Sequence, residues 1–121
     1  MGSSFEYLKV WQKSSDFIIE IYDILLQYPD YERYAMVSQI RRATNSVCAN
    51  IAEGTGRRTK KDFINFLYVA RGSLEEVRSF LLISERLGYI NKEELNKLKV
   101  SSETISKMLN GLIKSLYNEI V

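Results

Sequence analysis

Apolar residues recur along the chain at steps of three and four. Between Tyr7 and Tyr28, the positions Trp11, Ser14, Ile18, Ile21 and Leu25 fall on one stripe, which Phe17 and Tyr22 widen. That spacing follows the turn of an α-helix and predicts a first helix over 7–28. Tyr28-Pro29-Asp30 ends it, because proline disfavours helical geometry in the residue before it and has no N–H to donate. A second helix is predicted over 33–53, with Met36, Val37, Ile40, Thr44, Val47 and Ile51 inward and Gly54 as a left-handed C-cap. Thr59 followed by Asp62 has the spacing of a capping box and opens a third helix over 59–87, whose stripe is Phe63, Leu67, Ala70, Leu74, Val77 and Leu81; Gly88 closes it. Asn91 and Glu94 make a similar start for a fourth helix over 91–119, with Leu95, Leu98, Ser102, Ile105, Leu109, Leu112 and Leu116 inward. Nothing reads as a strand. Three short connections between four long amphipathic helices predict an all-α, antiparallel up-down-up-down four-helix bundle.

Composition bounds this reading. A chain of 121 residues that is 45% apolar supports one core, and one proline with six glycines leaves no linker. The expected domain runs over 5–121, with Met1-Gly2-Ser3-Ser4 given no weight. Cys48 is the only cysteine, so an intramolecular disulfide and a thiolate zinc cluster are excluded; a small buried hydrophobe in a reducing cytoplasm is expected. No apolar run reaches the roughly 18–20 residues of a membrane span, so no membrane association is expected. Phe66, Phe80, Met108, Ile113, Tyr117 and Ile120 lie beside the single stripes. They either thicken the core or join copies of the chain, and self-association is the expectation.

The chain contains no histidine. This removes the commonest neutral-pH base and zinc ligand, together with any Ser-His-Asp, Cys-His or Glu-x-x-His di-iron arrangement. Glu75-Glu76 and Glu93-Glu94 are adjacent on helices, where neighbours project about 100° apart, so they do not converge as an acid/base dyad. Gly54-Thr55-Gly56-Arg57-Arg58 superficially resembles a phosphate loop, but lacks the Walker spacing and follows a helix. No enzyme activity, metal or cofactor is expected.

One segment departs from its background. Over 41–61, Arg41, Arg42, Arg57, Arg58, Lys60 and Lys61 face Glu53 alone, a local balance of +5 within an overall +2, which leaves the rest at −3. Lys60 and Lys61 sit in the first turn of helix three, where the macrodipole disfavours cations. Arg71 is expected level with the 42–45 turn across an antiparallel connection, which extends the patch. Such a region suits repeated phosphates, or is simply a solvated face. Tyr31 and Tyr34 stack on bases or pack between helices. Asn45, Asn50 and Glu53 lie among small residues, and hydrogen bonds between helices are expected of them.

Four segments carry a resemblance: Phe5-Glu6-x-Leu8-x-Val10-Trp11-Gln12-Lys13, Ser38-Gln39-Ile40-Arg41-Arg42-Ala43, Asn50-Ile51-Ala52-Glu53-Gly54-x-Gly56-Arg57, and Asp62-Phe63-x-x-Phe66-Leu67-x-x-Ala70-x-Gly72-Ser73. Over essentially the whole domain the chain resembles the four-helix-bundle proteins encoded in intervening sequences of bacterial large-subunit ribosomal RNA. The resemblance implies a ring-like homopentamer. It also implies kinship in fold with the accessory protein of diversity-generating retroelements, whose basic pentamer binds nucleic acid and a reverse transcriptase. By that likeness Arg41, Arg42, Arg57 and Arg58 are contact candidates. The expected function is a non-catalytic homo-oligomeric scaffold for nucleic acid, RNA above all, with a protein-interaction module that recruits a polypeptide as the alternative.

Overall fold

The computed structural model describes residues 4–120. Met1-Gly2-Ser3 and Val121, the last residue of the expected 5–121 domain, lie outside the described residues. The helices are α1 (Lys9–Leu25), α2 (Met36–Thr55), α3 (Lys60–Arg86) and α4 (Lys92–Ile120), with single 3-10 turns at Phe5–Tyr7 and Asp30–Glu32. Each helix packs on its neighbours in sequence and α1 closes against α4, while among the described residues no Cα atoms of the diagonal pairs come within 8 Å of each other. The result is the predicted up-down-up-down bundle.

Phe17, Ile21, Ile40, Ile51, Leu67, Leu74, Leu81 and Leu109 fill the core, each at most 1% exposed. Ser14, Thr44, Ser84 and Ser102 are buried with them. Each donates its hydroxyl to a carbonyl three or four residues back, at 2.7–2.8 Å, which removes the cost of burying it. The inward phase differs from the predicted one in three places. In α1 the buried stripe is Val10, Ser14, Phe17, Ile21 and Leu25, and Trp11 and Ile18 sit at its margin. In α3 Ile64 is buried and Phe63 only partly; in α4 Ile113 is buried and Leu112 only partly. Each case involves adjacent large apolar residues between which a 3.6-residue period does not choose.

The helix ends shift for local reasons. α1 stops at Leu25 because the N–H groups of Leu26, Gln27 and Tyr28 turn to carbonyls three residues back. α2 starts only at Met36, since Glu32 and Arg33 close a tight turn after Pro29. Asn91 and Glu94 form a complete capping box: Glu94 N donates to Asn91 Oδ1 at 2.7 Å, and Asn91 N donates to Glu94 Oε1 at 2.9 Å. Thr59 Oγ1 accepts from Asp62 N at 3.1 Å. Gly54 is not a C-cap. It lies inside α2, where a Cβ would meet Phe63 Cδ1 at 2.8 Å and Phe66 Cβ at 3.0 Å, so glycine is needed for the close approach of α3. The left-handed glycine among the described residues is Gly88, at φ +81°, which closes α3 as predicted.

Candidate functional site

The outer edge of α2 is low and sparsely charged. No ionisable side chain other than the buried Cys48 lies between Arg42 and Glu53, and the outward positions of that stretch are Asn45 and Ala49, flanked by the partly buried Ser46 and Asn50. Arg42 and Glu53 are eleven residues apart. At about 100° and 1.5 Å per residue, they fall on nearly the same line about 16 Å apart. Arg57 turns back to Glu53 at 3.0 Å and lays its guanidinium 4.6 Å over the Phe66 ring. The face thus carries an arginine at each end of an uncharged strip. Among the described residues, Arg42 bonds only Gln39, on its own helix.

The other cations of the basic segment do not share that line. Arg41 turns towards α1, its guanidinium 5.4 Å from the centre of the Tyr22 ring, and Asn45 donates to the Tyr22 hydroxyl at 2.8 Å. Arg58 and Lys61 are exposed at the α2–α3 connection. Lys60 pairs with Glu119 at 2.9 Å. A cation in the first turn of α3 and an anion in the last turn of α4 each oppose their own helix dipole. In antiparallel neighbours the two charges satisfy one another, and this accounts for the placement of Lys60.

Arg71 lies apart. Ser73 bonds Ser46 at 2.9 Å, a register that sets Arg71 level with about residue 48, roughly one turn from the expected 42–45 position. Its guanidinium bonds Asn110 at 2.8 Å and covers the Tyr68 ring at 4.7 Å, which places it on the α3–α4 side. The seven candidates therefore form three groups: Arg41 and Arg42 towards the α1–α2 end, Arg57, Arg58, Lys60 and Lys61 at the opposite end, and Arg71 on another side. A continuous stretch of sequence along a helix spans the length of the bundle, so adjacency in sequence is not adjacency in space.

Of the amides on α2, Asn45 bridges to α1, while Asn50 bonds Ser46 within its own helix. Tyr31 packs edge-on to Tyr89, with the hydroxyls 3.2 Å apart, yet remains 76% exposed; Tyr34 is 89% exposed. Tyr89 donates to Glu32 at 2.7 Å, and its hydrogen bonds to Tyr31 and Glu32 hold its pKa well above the tyrosine value of 10.0. One cation escaped the sequence reading. Arg33 lies just outside the 41–61 window, exposed between Tyr31 and Tyr34; alternation of arginine with tyrosine was the available signal.

Burial pushes the Cys48 thiol up to about 11, which keeps it protonated at neutral pH. Among the described residues, no three His, Cys, Asp or Glu side chains are grouped to hold a metal ion, and no helix is long and apolar enough to cross a membrane.

The sequence profile of the 23S rRNA-intervening sequence proteins matches residues 6–111. A crystal structure of a protein of unknown function from the S23 ribosomal protein family of Bacteroides thetaiotaomicron superposes with a TM-score of 0.78 at 31% identity, covering 87% of this chain and 98% of that one. No curated protein matches the chain.

Proposed function

Because the chain belongs to the 23S rRNA-intervening sequence protein family, we propose that it is a non-catalytic, homo-oligomeric scaffold that binds RNA in the cytoplasm through phosphate contacts. The observation that carries this reading is the outer face of α2, with an uncharged strip of small polar residues between Arg42 and Arg57. Low relief lets a sugar-phosphate backbone approach, and a guanidinium at each end of the strip engages a phosphate. Arg41, Arg42, Arg58 and Lys61 make no ion pair among the described residues, so their charge is available to a ligand. Contacts of this kind fix a backbone without reading bases, so sequence specificity is low.

Exposed Ile19 on α1, Val69 and Ile83 on α3, and Leu87 just after it supply apolar surface for association of copies, five in a ring by the resemblance. Repetition of one modest basic face raises its affinity by avidity. Light scattering behind size exclusion tests both parts. The expected result is a multimer that takes up a structured RNA at about 50 mM salt and releases it by about 200 mM, with log K falling by about 0.7–0.9 per phosphate neutralised. A multimer indifferent to RNA at every salt concentration overturns the RNA-binding reading. The same apolar positions favour a second reading, recruitment of a polypeptide partner; a co-purifying protein that survives nuclease treatment would support it.

A further inference from the structure

The corner where α1 hands over to α2 holds a cleft of about 140 Å³ to which the basic segment contributes only Arg41. Its inner wall is apolar, from Leu25, Tyr28 and Val37, all at least nine-tenths buried. Leu26 stands at its mouth, 84% exposed, an unusual position for a leucine beside a polar turn. Arg33 and Arg41 share the same lining, the Arg41 guanidinium lying towards the Tyr22 ring, and neither is ion-paired among the described residues. Asp30 is the single carboxylate in the lining. A cleft of mixed lining, with an exposed leucine at its mouth and two arginines without ion pairs, suits a planar heteroaromatic ring attached to a phosphodiester, with Asp30 as acceptor for N–H groups on the ring.

The corner is also braced. Gln27 donates to the Tyr89 carbonyl at 2.9 Å and to Glu94 at 3.1 Å, and the Tyr28 and Tyr89 rings pack with centroids 5.2 Å apart. These ties fix the loop against the α3–α4 turn, so the cleft exists before a ligand arrives. Tyr34, next to Arg33, offers an exposed ring to which a second base can stack.

We propose that this cleft receives an unstacked nucleobase of single-stranded RNA, with Arg33 and Arg41 on the adjoining phosphates and Tyr34 as the platform for the next base. This rests on the RNA-binding reading above and adds the class of RNA, since bases paired in a duplex are not free to enter.

Fluorescence anisotropy with a single-stranded 12-mer and a fully paired duplex of the same length, at about 100 mM salt, tests it. The single strand is expected to bind about 10-fold tighter, the order of one stacked base. Leu26→Glu and Arg33→Ala are each expected to weaken the single strand more than the duplex, and Leu26→Glu to remove most of the preference. Leu26 is exposed, so thermal melting of the variant should match the parent. Equal affinity of the parent for the two RNAs, or an equal loss for both in Leu26→Glu, overturns the cleft while phosphate binding stands. Absence of binding to either RNA overturns the cleft together with the RNA-binding reading.

Discussion

Phe17→Ala is expected to lower the unfolding free energy by about 3–5 kcal/mol, seen as a lower urea midpoint with little change in slope. The ring is 1% exposed in the centre of α1, and its loss removes its transfer free energy and leaves a cavity walled by neighbouring helices. Against a total of about 5–15 kcal/mol for a domain of this kind, that is a large share. The control is Ile18→Ala, one residue along and at the margin of the buried stripe, which should cost well under half as much. If Ile18→Ala proved the more damaging, the phase of α1 described above would be wrong.

Arg42→Glu combined with Arg57→Glu is expected to weaken RNA binding about 100-fold at low salt, taking about 1.5 kcal/mol for each charge-assisted phosphate contact. The salt slope should fall by about 1.4–1.8 for the two phosphates released. Both side chains are exposed, and the Arg57–Glu53 pair at the surface contributes at most about 0.5 kcal/mol, so melting should barely change. Lys60→Glu is the contrasting variant. Lys60 lies off the Arg42–Arg57 line and its ammonium ties α3 to α4 through Glu119, so the reversal should disturb the α3–α4 contact more than it disturbs RNA. Unchanged affinity in the double variant would sink the phosphate-contact reading.

Periodicity carried most of the fold. Four helices, their order and both capping residues could be read from spacing alone, because an amphipathic stripe reports directly which face is dry. Its resolution failed where two large apolar neighbours compete, at Phe17 and Ile18 or Ile113 and Leu112, because the tie is broken by packing on another helix. Gly54 shows a second limit. A glycine near a helix end signals a cap, whereas here the cause is Phe63 and Phe66 on the following helix, a contact that no local pattern contains.

For the candidate site, charge counting singled out the cations of one stretch of sequence but not their grouping in space. Arg41 and Arg42 are adjacent in sequence, yet one leans on Tyr22 of α1 and the other stays on the outer edge. Lys60 looked anomalous until its partner Glu119, 59 positions away, came beside it. Arg33 was overlooked because the basic window began at residue 41, while the cleft it lines joins two elements across a turn.

The alignment of Arg42 with Glu53 and Arg57 also constrains how this gene can change length. Each residue inserted into or deleted from α2 between them turns everything beyond it by about 100°, swinging the two arginines onto different sides and carrying Gly54 away from the rings it must clear. Three or four residues together come close to a whole turn and restore the phase, though they move Arg57 about 5 Å along the helix axis. Within this helix, single-codon indels should therefore be far rarer among descendants than substitutions, and length variation should collect in the loop before Met36.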